Sequence, residues 1–341
     1  MRGIRPRLFL YNNEKGTPMQ REIYLDNSAT TRPYDEVIDL MGEINRRMYG
    51  NPSSLHTKGL EAEKLIKAAR EGIAESMGVS AGEVYFTSGG TESNNLGVLG
   101  YLEANQRKGK HLVTSAIEHP SVLEVFKALS KKGYDVDYIK VDGKGIIELE
   151  SLKSQLKKDT SLVSIIMVNN ETGAIQPIKE AIGIIKSIAG DAVIHVDAVQ
   201  AYGKLEILPD RTGIDMMSVS SHKIHGPKGT GALYINKKVK VKPVILGGGQ
   251  ESLMRSGTEN VPGVSGFGLA SKLTFGKLKE NSSKVSSLKQ LMHKMIEDEI
   301  EGYSIVSPDN SSPYISNISF HGIKGEVLLH HLEQRNIFVS T

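Results

Sequence analysis

Lys223 stands where a lysine can do chemistry. It lies in the run SVSSHKIHGPKGTGAL, residues 218–233, just behind a short strand-like stretch, two serines and His222. A lone lysine is ordinarily a solvated charge. In a desolvated pocket, or beside another cation, its amine loses basicity and attacks aldehydes. Ser220 and His222 are placed to hold a phosphate next to it. TSGGTESNN, residues 87–95, is a second anion-binding candidate. Gly89 and Gly90 precede a helix expected to start near Thr91, and glycines let backbone approach an anion at a helix N-terminus, where N–H groups are free. The spacing is neither GxxxxGK[ST] nor GxGxxG, so the nucleotide loops do not fit. A plain strand-to-helix turn capped by Thr91 is the alternative.

Four further polar clusters each follow a strand-like run. AIEHPS, residues 116–121, puts His119 before a helix, as a cap or as an imidazole lying over a flat ring and moving protons. VNNETG, residues 168–173, offers Asn169 and Asn170 as turn formers or as amides for a ligand. HVDAVQ, residues 195–200, ends an apolar run on Asp197. A carboxylate there is costly unless a cation or hydrogen-bond donor meets it, or unless it caps the next element. LGGGQESLMRSGTEN, residues 246–260, is another glycine-rich anion-binding candidate.

The elements that must position these clusters alternate. Strands are expected over 22–26, 83–87, 111–115, 135–141, 161–168, 192–197, 216–220 and 232–236. SLVSIIMV and AVIHV are almost continuously apolar, as strands buried on both faces are. Helices are expected over 62–77, 121–132, 149–156 and 178–188, where apolar residues recur on one side. The pattern gives an α/β fold with a mostly parallel sheet, ligands binding at the carboxyl ends of its strands. Residues 272–302 read as one long polar helix. SPDNSSP, a short strand in ISNISF and a helix over 325–334 then begin a smaller α+β domain.

With 341 residues, the chain is long enough for two domains or one large one. Hydrophobic residues at 39%, charged residues at 24% and a net charge of +3 describe an ordinary globular surface, with no signal for nucleic acid or membrane. The absence of cysteine excludes disulfides and thiolate metal sites within these residues, and no metal site is expected. No run is long and apolar enough to span a membrane. RLFLY near the start is too short for a signal peptide, so a cytoplasmic location is expected, with residues 1–20 as an irregular extension.

DNSATT (26–31), GNPSSLH (50–56), TSGGTESNN, EHPS, NNETG, HVDAVQ, SSHKIHGPKGTGAL and RSGTENVPG follow one another in an order that resembles the cysteine desulfurases, within the class V aminotransferase group of pyridoxal 5'-phosphate (PLP) enzymes. The version around SSHKIHGPKG and RSGTEN is similar to the bacterial branch serving iron–sulfur cluster assembly. The resemblance implies fold type I of the PLP-dependent transferases: a mostly parallel seven-stranded sheet with helices on both faces, plus a smaller α+β domain incomplete at the C-terminus. It implies domains over 1–33, 34–270 and 271–341. It implies that Lys223 bonds the cofactor, that Gly90, Thr91, Ser220 and His222 hold the phosphate, and that Thr258 reaches the phosphate of a partner in a homodimer. His119 would stack on the ring and act as acid and base, Asp197 would pair with the ring nitrogen, and Gln200 would contact the ring oxygen. Asn170 would hold substrate and ring, with Asn27 near the substrate entrance. L-cysteine would become L-alanine, with sulfur passing as a persulfide to an acceptor or iron–sulfur scaffold protein.

Two departures stand beside this. In the family a loop of the form GSACSS, bearing the persulfide-forming cysteine, follows a stretch like NIFVST. This sequence ends at Thr341 where that loop would begin. Further residues that complete the small domain and supply an arginine for the substrate carboxylate are expected to follow. A chain cut short is therefore expected, with no sulfur transfer through a persulfide of its own. The alternatives are another class V PLP lyase, such as a selenocysteine lyase-like enzyme, and a non-catalytic PLP-binding subunit.

Overall fold

A computed structural model describes residues 22–341, so the extension expected over 1–20 lies outside the described residues. The elements run β1 (Ile23–Tyr24), α1 (Asp35–Arg47), α2 (Thr57–Met77), β2 (Val84–Thr87), α3 (Gly90–Ala104), β3 (His111–Ser115), α4 (Pro120–Lys131), β4 (Asp135–Ile139), α5 (Leu149–Gln155) and β5 (Thr160–Ile166). They continue with α6 (Ile178–Ile188), β6 (Val193–Asp197), α7 (Pro209–Thr212), β7 (Met216–Ser220), β8 (Gly231–Ile235), α8 (Val261–Gly276), α9 (Leu278–Glu299), β9 (Tyr303–Ile305), β10 (Ile318–Phe320), α10 (Gly325–Glu333) and β11 (Ile337–Phe338).

Seven strands form one sheet in the order β2-β8-β7-β6-β5-β3-β4. All run in one direction except β8, which is antiparallel to both β7 and β2. Helices cover both faces, as the alternation along each strand shows. Leu112, Leu162, Val193, Met216 and Leu233 pack with α3 and α4 residues such as Tyr101, Val122 and Phe126. Their immediate neighbours Val113, Val163, Ile194, Met217 and Tyr234 join a second core with α2, α6 and α8 residues such as Ile73, Ile185 and Phe267. Period-two side-chain direction makes one strand serve two cores.

Two compact units divide the chain. Asn27–Gly322 holds the seven-stranded sheet, α1 to α9 and the antiparallel β9–β10 pair; Ile323–Thr341 with residues 22–26 holds α10 and the parallel β1–β11 pair. The division into 1–33, 34–270 and 271–341 remains a proposal. The single helix expected over 272–302 is two helices, α8 and α9, which meet at Lys277 (φ −122°, ψ 16°). The α8 start at Val261 carries a readable signal. Asn260 accepts from the Gly263 N–H through its side chain and Pro262 sits in the first turn. Among the described residues, no helix is long and apolar enough to cross a membrane.

Candidate active site

Because β8 runs against its neighbours, β2 ends on the same edge as β3, β6 and β7. Thr87, Ser115, Asp197 and Ser220 are the last residues of those strands, so the expected clusters share one edge of the sheet. Lys223 closes a single turn that follows β7. Its Nζ donates to the Ser28 carbonyl at 2.5 Å and the Ala29 carbonyl at 2.8 Å. The segment supplying those carbonyls is tied to the same turn. The Thr31 N–H donates to the His222 carbonyl, the His225 N–H donates to Thr31 Oγ1, and His222 Nδ1 meets Thr30 Oγ1 at 3.1 Å. Burial, then the charges of Lys223, Lys228 and Lys204, push the His222 pKa down to about 4, so this imidazole is neutral at pH 7.

Opposite lies the glycine turn. The helix begins at Gly90 rather than Thr91, and its N-cap is Gly89 (φ 151°), without a side-chain cap. The alternative of a Thr91 cap is therefore not realised, because glycine occupies the capping position. A β-carbon on Gly90 would lie 2.5 Å from Val199 Cγ2, so only glycine lets α3 start this close to the Asp197 turn. Beside it, Ser220 Oγ is buried with no hydrogen-bond partner, 3.9 Å from where a β-carbon of Gly89 would be. An uncapped helix N-terminus and an orphaned hydroxyl together make an anion cradle. Thr91 lies exposed at its rim.

Asp197 and His119 are joined by a hydrogen-bond chain. Asn94 Nδ2 donates to Asp197 Oδ2 at 2.7 Å and to Ser121 Oγ at 2.8 Å. Ser121 Oγ lies 2.8 Å from His119 Nδ1, which also accepts from the Ser121 N–H. A nitrogen that accepts carries no proton, so Ser121 donates and neutral His119 holds its hydrogen on Nε2. His119 is thus both the α4 cap and an exposed imidazole of fixed tautomer. The Asp197 carboxylate is buried, and its direct donors, Asn94 and the Val199 N–H, are neutral. Burial pushes its pKa up, against those hydrogen bonds and the nearby charge of Lys223. A cation at this carboxylate would relieve its desolvation.

Gln200 is buried, with Nε2 donating to the Ser28 carbonyl and Oε1 accepting from Lys204 Nζ. Asn169 makes the turn after β5, its Oδ1 accepting from the Glu171 and Thr172 N–H groups, and leaves Asn170 half-buried next to it. Asn27 is half-buried at the head of the segment that carries Ser28. The 246–260 run closes on itself instead of forming an open cup: Gln250 Oε1 accepts from the Gly257 N–H, and Ser256 Oγ donates to the Gly248 carbonyl. Thr258 is exposed within it.

Residues 23–341 match the family described as aminotransferase class-V. The chain belongs to that family. Cysteine desulfurase IscS of Dictyoglomus turgidum is 42% identical over 324 residues, 95% of this chain and 82% of that protein. Among solved structures, a NifS-like protein superposes with a TM-score of 0.91 at 40% identity, covering 94% of this chain and 88% of the other. SspA in complex with cysteine gives 0.81 at 34% identity, over 93% and 88%. Class V aminotransferases depend on PLP, and the residues fit it. The α3 N-terminus and orphaned Ser220 hydroxyl suit a phosphate, the buried Asp197 carboxylate suits a protonated ring nitrogen, and the Lys223 amine suits an aldehyde.

Several members of this class V site escaped the sequence reading. Asn94, Ser121 and Ser28 lie inside quoted motifs, but only the folded distances reveal their links. Glu118 lies beside His119 and is fully buried. Its Oε1 accepts from Ser115 Oγ and the Ile166 N–H, while Oε2 has no partner. Burial, opposed by those two hydrogen bonds and reinforced by the Asp197 charge, pushes its pKa up to about 8 from 4.5. The folded state therefore holds a proton that the unfolded chain releases. Stability from this group is complete below about pH 4.5 and is lost as pH rises to about 8. Glu118→Gln should flatten that decline, read as melting temperature against pH; an unchanged slope would refute the assignment.

Proposed function

We propose that this chain is a PLP-dependent cysteine desulfurase that converts L-cysteine to L-alanine and yields the sulfur as a persulfide for iron–sulfur cluster assembly. The observation that carries the reading is the convergence of the Lys223 amine, the anion cradle of α3 with Ser220, and the buried Asp197 carboxylate at one sheet edge. IscS naming of the D. turgidum relative and the cysteine complex of SspA support the substrate.

When bound, PLP supplies an aldehyde for amines and a ring that takes up charge from the substrate α-carbon. Gly90, Thr91, Ser220 and His222 would hold the phosphate, and neutral His222 could donate or accept there. Asp197 would keep the ring nitrogen protonated, and Gln200 would donate to the ring oxygen. The Lys223 amine would hold the cofactor through its aldehyde, and the same amine is placed to accept or return a proton. His119, with hydrogen on Nε2 and its imidazole exposed, would pack against the cofactor ring and could exchange a proton there. Asn27 and Asn170 line the substrate's approach. The sulfur passes to an acceptor thiolate, and the substrate β-carbon, protonated, becomes the methyl group of alanine. These 341 residues contain no cysteine, so that thiolate is not among them. Thr258 acts on the phosphate of a second copy, which makes the working form a homodimer, located in the cytoplasm.

The test is a titration of the PLP-loaded chain with L-cysteine and D-cysteine. A saturable change of the visible band is expected with the L-isomer alone, and L-alanine should appear when an external thiol is supplied. A visible band indifferent to L-cysteine overturns the reading.

A further inference from the structure

Lys204 is a lysine with almost no access to water. It is 7% exposed, its Nζ donates to Gln200 Oε1 at 3.0 Å, and it lies 5.7 Å from the centre of the Tyr314 ring. Burying an ammonium is costly, and its direct contacts are a neutral amide and an aromatic face. Burial and the nearby Lys223 charge pull its pKa down to about 7. A methionine would fill such a site at less cost, so the amine needs a reason.

The reason lies in what Gln200 touches on its other side. Gln200 Nε2 donates to the Ser28 carbonyl at 2.7 Å, and that carbonyl also accepts from Lys223 Nζ. In its ammonium form, which predominates below about pH 7, Lys204 can only donate, and a carbonyl can only accept. Turning the amide over would set its NH₂ against the Lys204 ammonium and its oxygen against the Ser28 carbonyl, two repulsive contacts in a dry place. One amide hydrogen serves the Ser28 carbonyl, which Lys223 Nζ also reaches, and the second is not used in that bond.

We propose that Lys204 is a positioning residue whose buried ammonium fixes the Gln200 amide with its NH₂ toward Ser28 and Lys223, so that the site meets the anionic ring oxygen of PLP with a donor. The ring-oxygen part rests on the PLP reading above; the orientation of the amide does not. Lys204 acts through Gln200 and touches no reacting atom.

Two measurements test this. In the cofactor-free full chain, NMR of the Gln200 side-chain amide should show hydrogens protected from exchange in the wild type and at least about tenfold less protected in Lys204→Met, as expected for loss of one buried hydrogen bond. Equal protection in both overturns the proposal. In the second, PLP affinity is measured by equilibrium dialysis for Lys204→Met, Gln200→Ala and the double variant. Lys204→Met should weaken binding roughly tenfold alone and little in the Gln200→Ala background. An equal loss in both backgrounds would mean that Lys204 acts independently of Gln200, which also overturns it. If PLP binds none of the proteins, wild type included, the cofactor reading fails while the amide measurement still decides the orientation. Thermal melts of the variants separate a general loss of packing from either effect.

Discussion

Replacing Lys223 with alanine removes the visible absorption of the PLP-loaded protein and lowers alanine formation by about 10³-fold or more, at the upper part of the range for losing a positioned proton-transfer group. The amine is held in place before any ligand arrives, by the Ser28 and Ala29 carbonyls. Those carbonyls lie at the same sheet edge as Asp197 and the α3 N-terminus, so the nucleophile, the carboxylate and the anion cradle are already mutually arranged. Lys223→Arg keeps the charge and the donors but has no nucleophilic amine, and it should lose the band as completely. Protein that stays yellow in Lys223→Ala, with the cofactor resisting dialysis as in the wild type, would show that another amine carries it.

Removal of Arg70 should destabilise the fold by about 3–5 kcal/mol, the range for stranding one partner of a buried ion pair. Arg70, on α2, donates from Nη1 and Nη2 to the two carboxylate oxygens of Glu251, each at 2.7 Å, and from Nη1 to the Val84 carbonyl. The Glu251 carboxylate, almost wholly buried, also accepts from the Phe86 N–H. In Arg70→Ala that carboxylate would remain in the interior with its charge unmatched. Glu251, Ser252 and Leu253 all have positive φ, a conformation that disfavours residues with a β-carbon. The ion pair therefore restrains a turn that would otherwise relax. Urea unfolding of Arg70→Ala measures the loss, and the double variant Arg70→Met with Glu251→Leu should recover much of it. A loss below about 1 kcal/mol would place the pair among ordinary surface salt bridges.

Much of the architecture could be read from residue order. The strands at 111–115 and 216–220 and the helix at 178–188 have the expected bounds, because fully apolar runs and one-sided periodicity leave few alternatives. Sheet order was not legible: nothing local tells β8 to enter between β2 and β7 and reverse. The α8–α9 break was missed because charged residues run on through Lys277, and the α8 start at Val261 was missed although Asn260 caps it. In the candidate site, Lys223 and Asp197 stood out in the sequence as unusual residue types at or just after strand ends. Ser28 works through a backbone carbonyl, which every residue has, and Arg70 meets Glu251 across 181 positions. Lys204 and Glu118 look like any surface charge until their burial is known.

The grip of the Ser28 carbonyl on Lys223 also has a consequence in time. The two residues are 195 positions apart, so during synthesis the carbonyl leaves the ribosome well before the amine it will hold. At roughly 5–20 residues per second, that gap is ~10–40 s of translation. Throughout it the nascent chain has Thr31 without the His222 carbonyl and the α3 cradle without Ser220, so the candidate site cannot be complete before Lys223 emerges. Cofactor capture at this site would therefore follow the synthesis of Lys223.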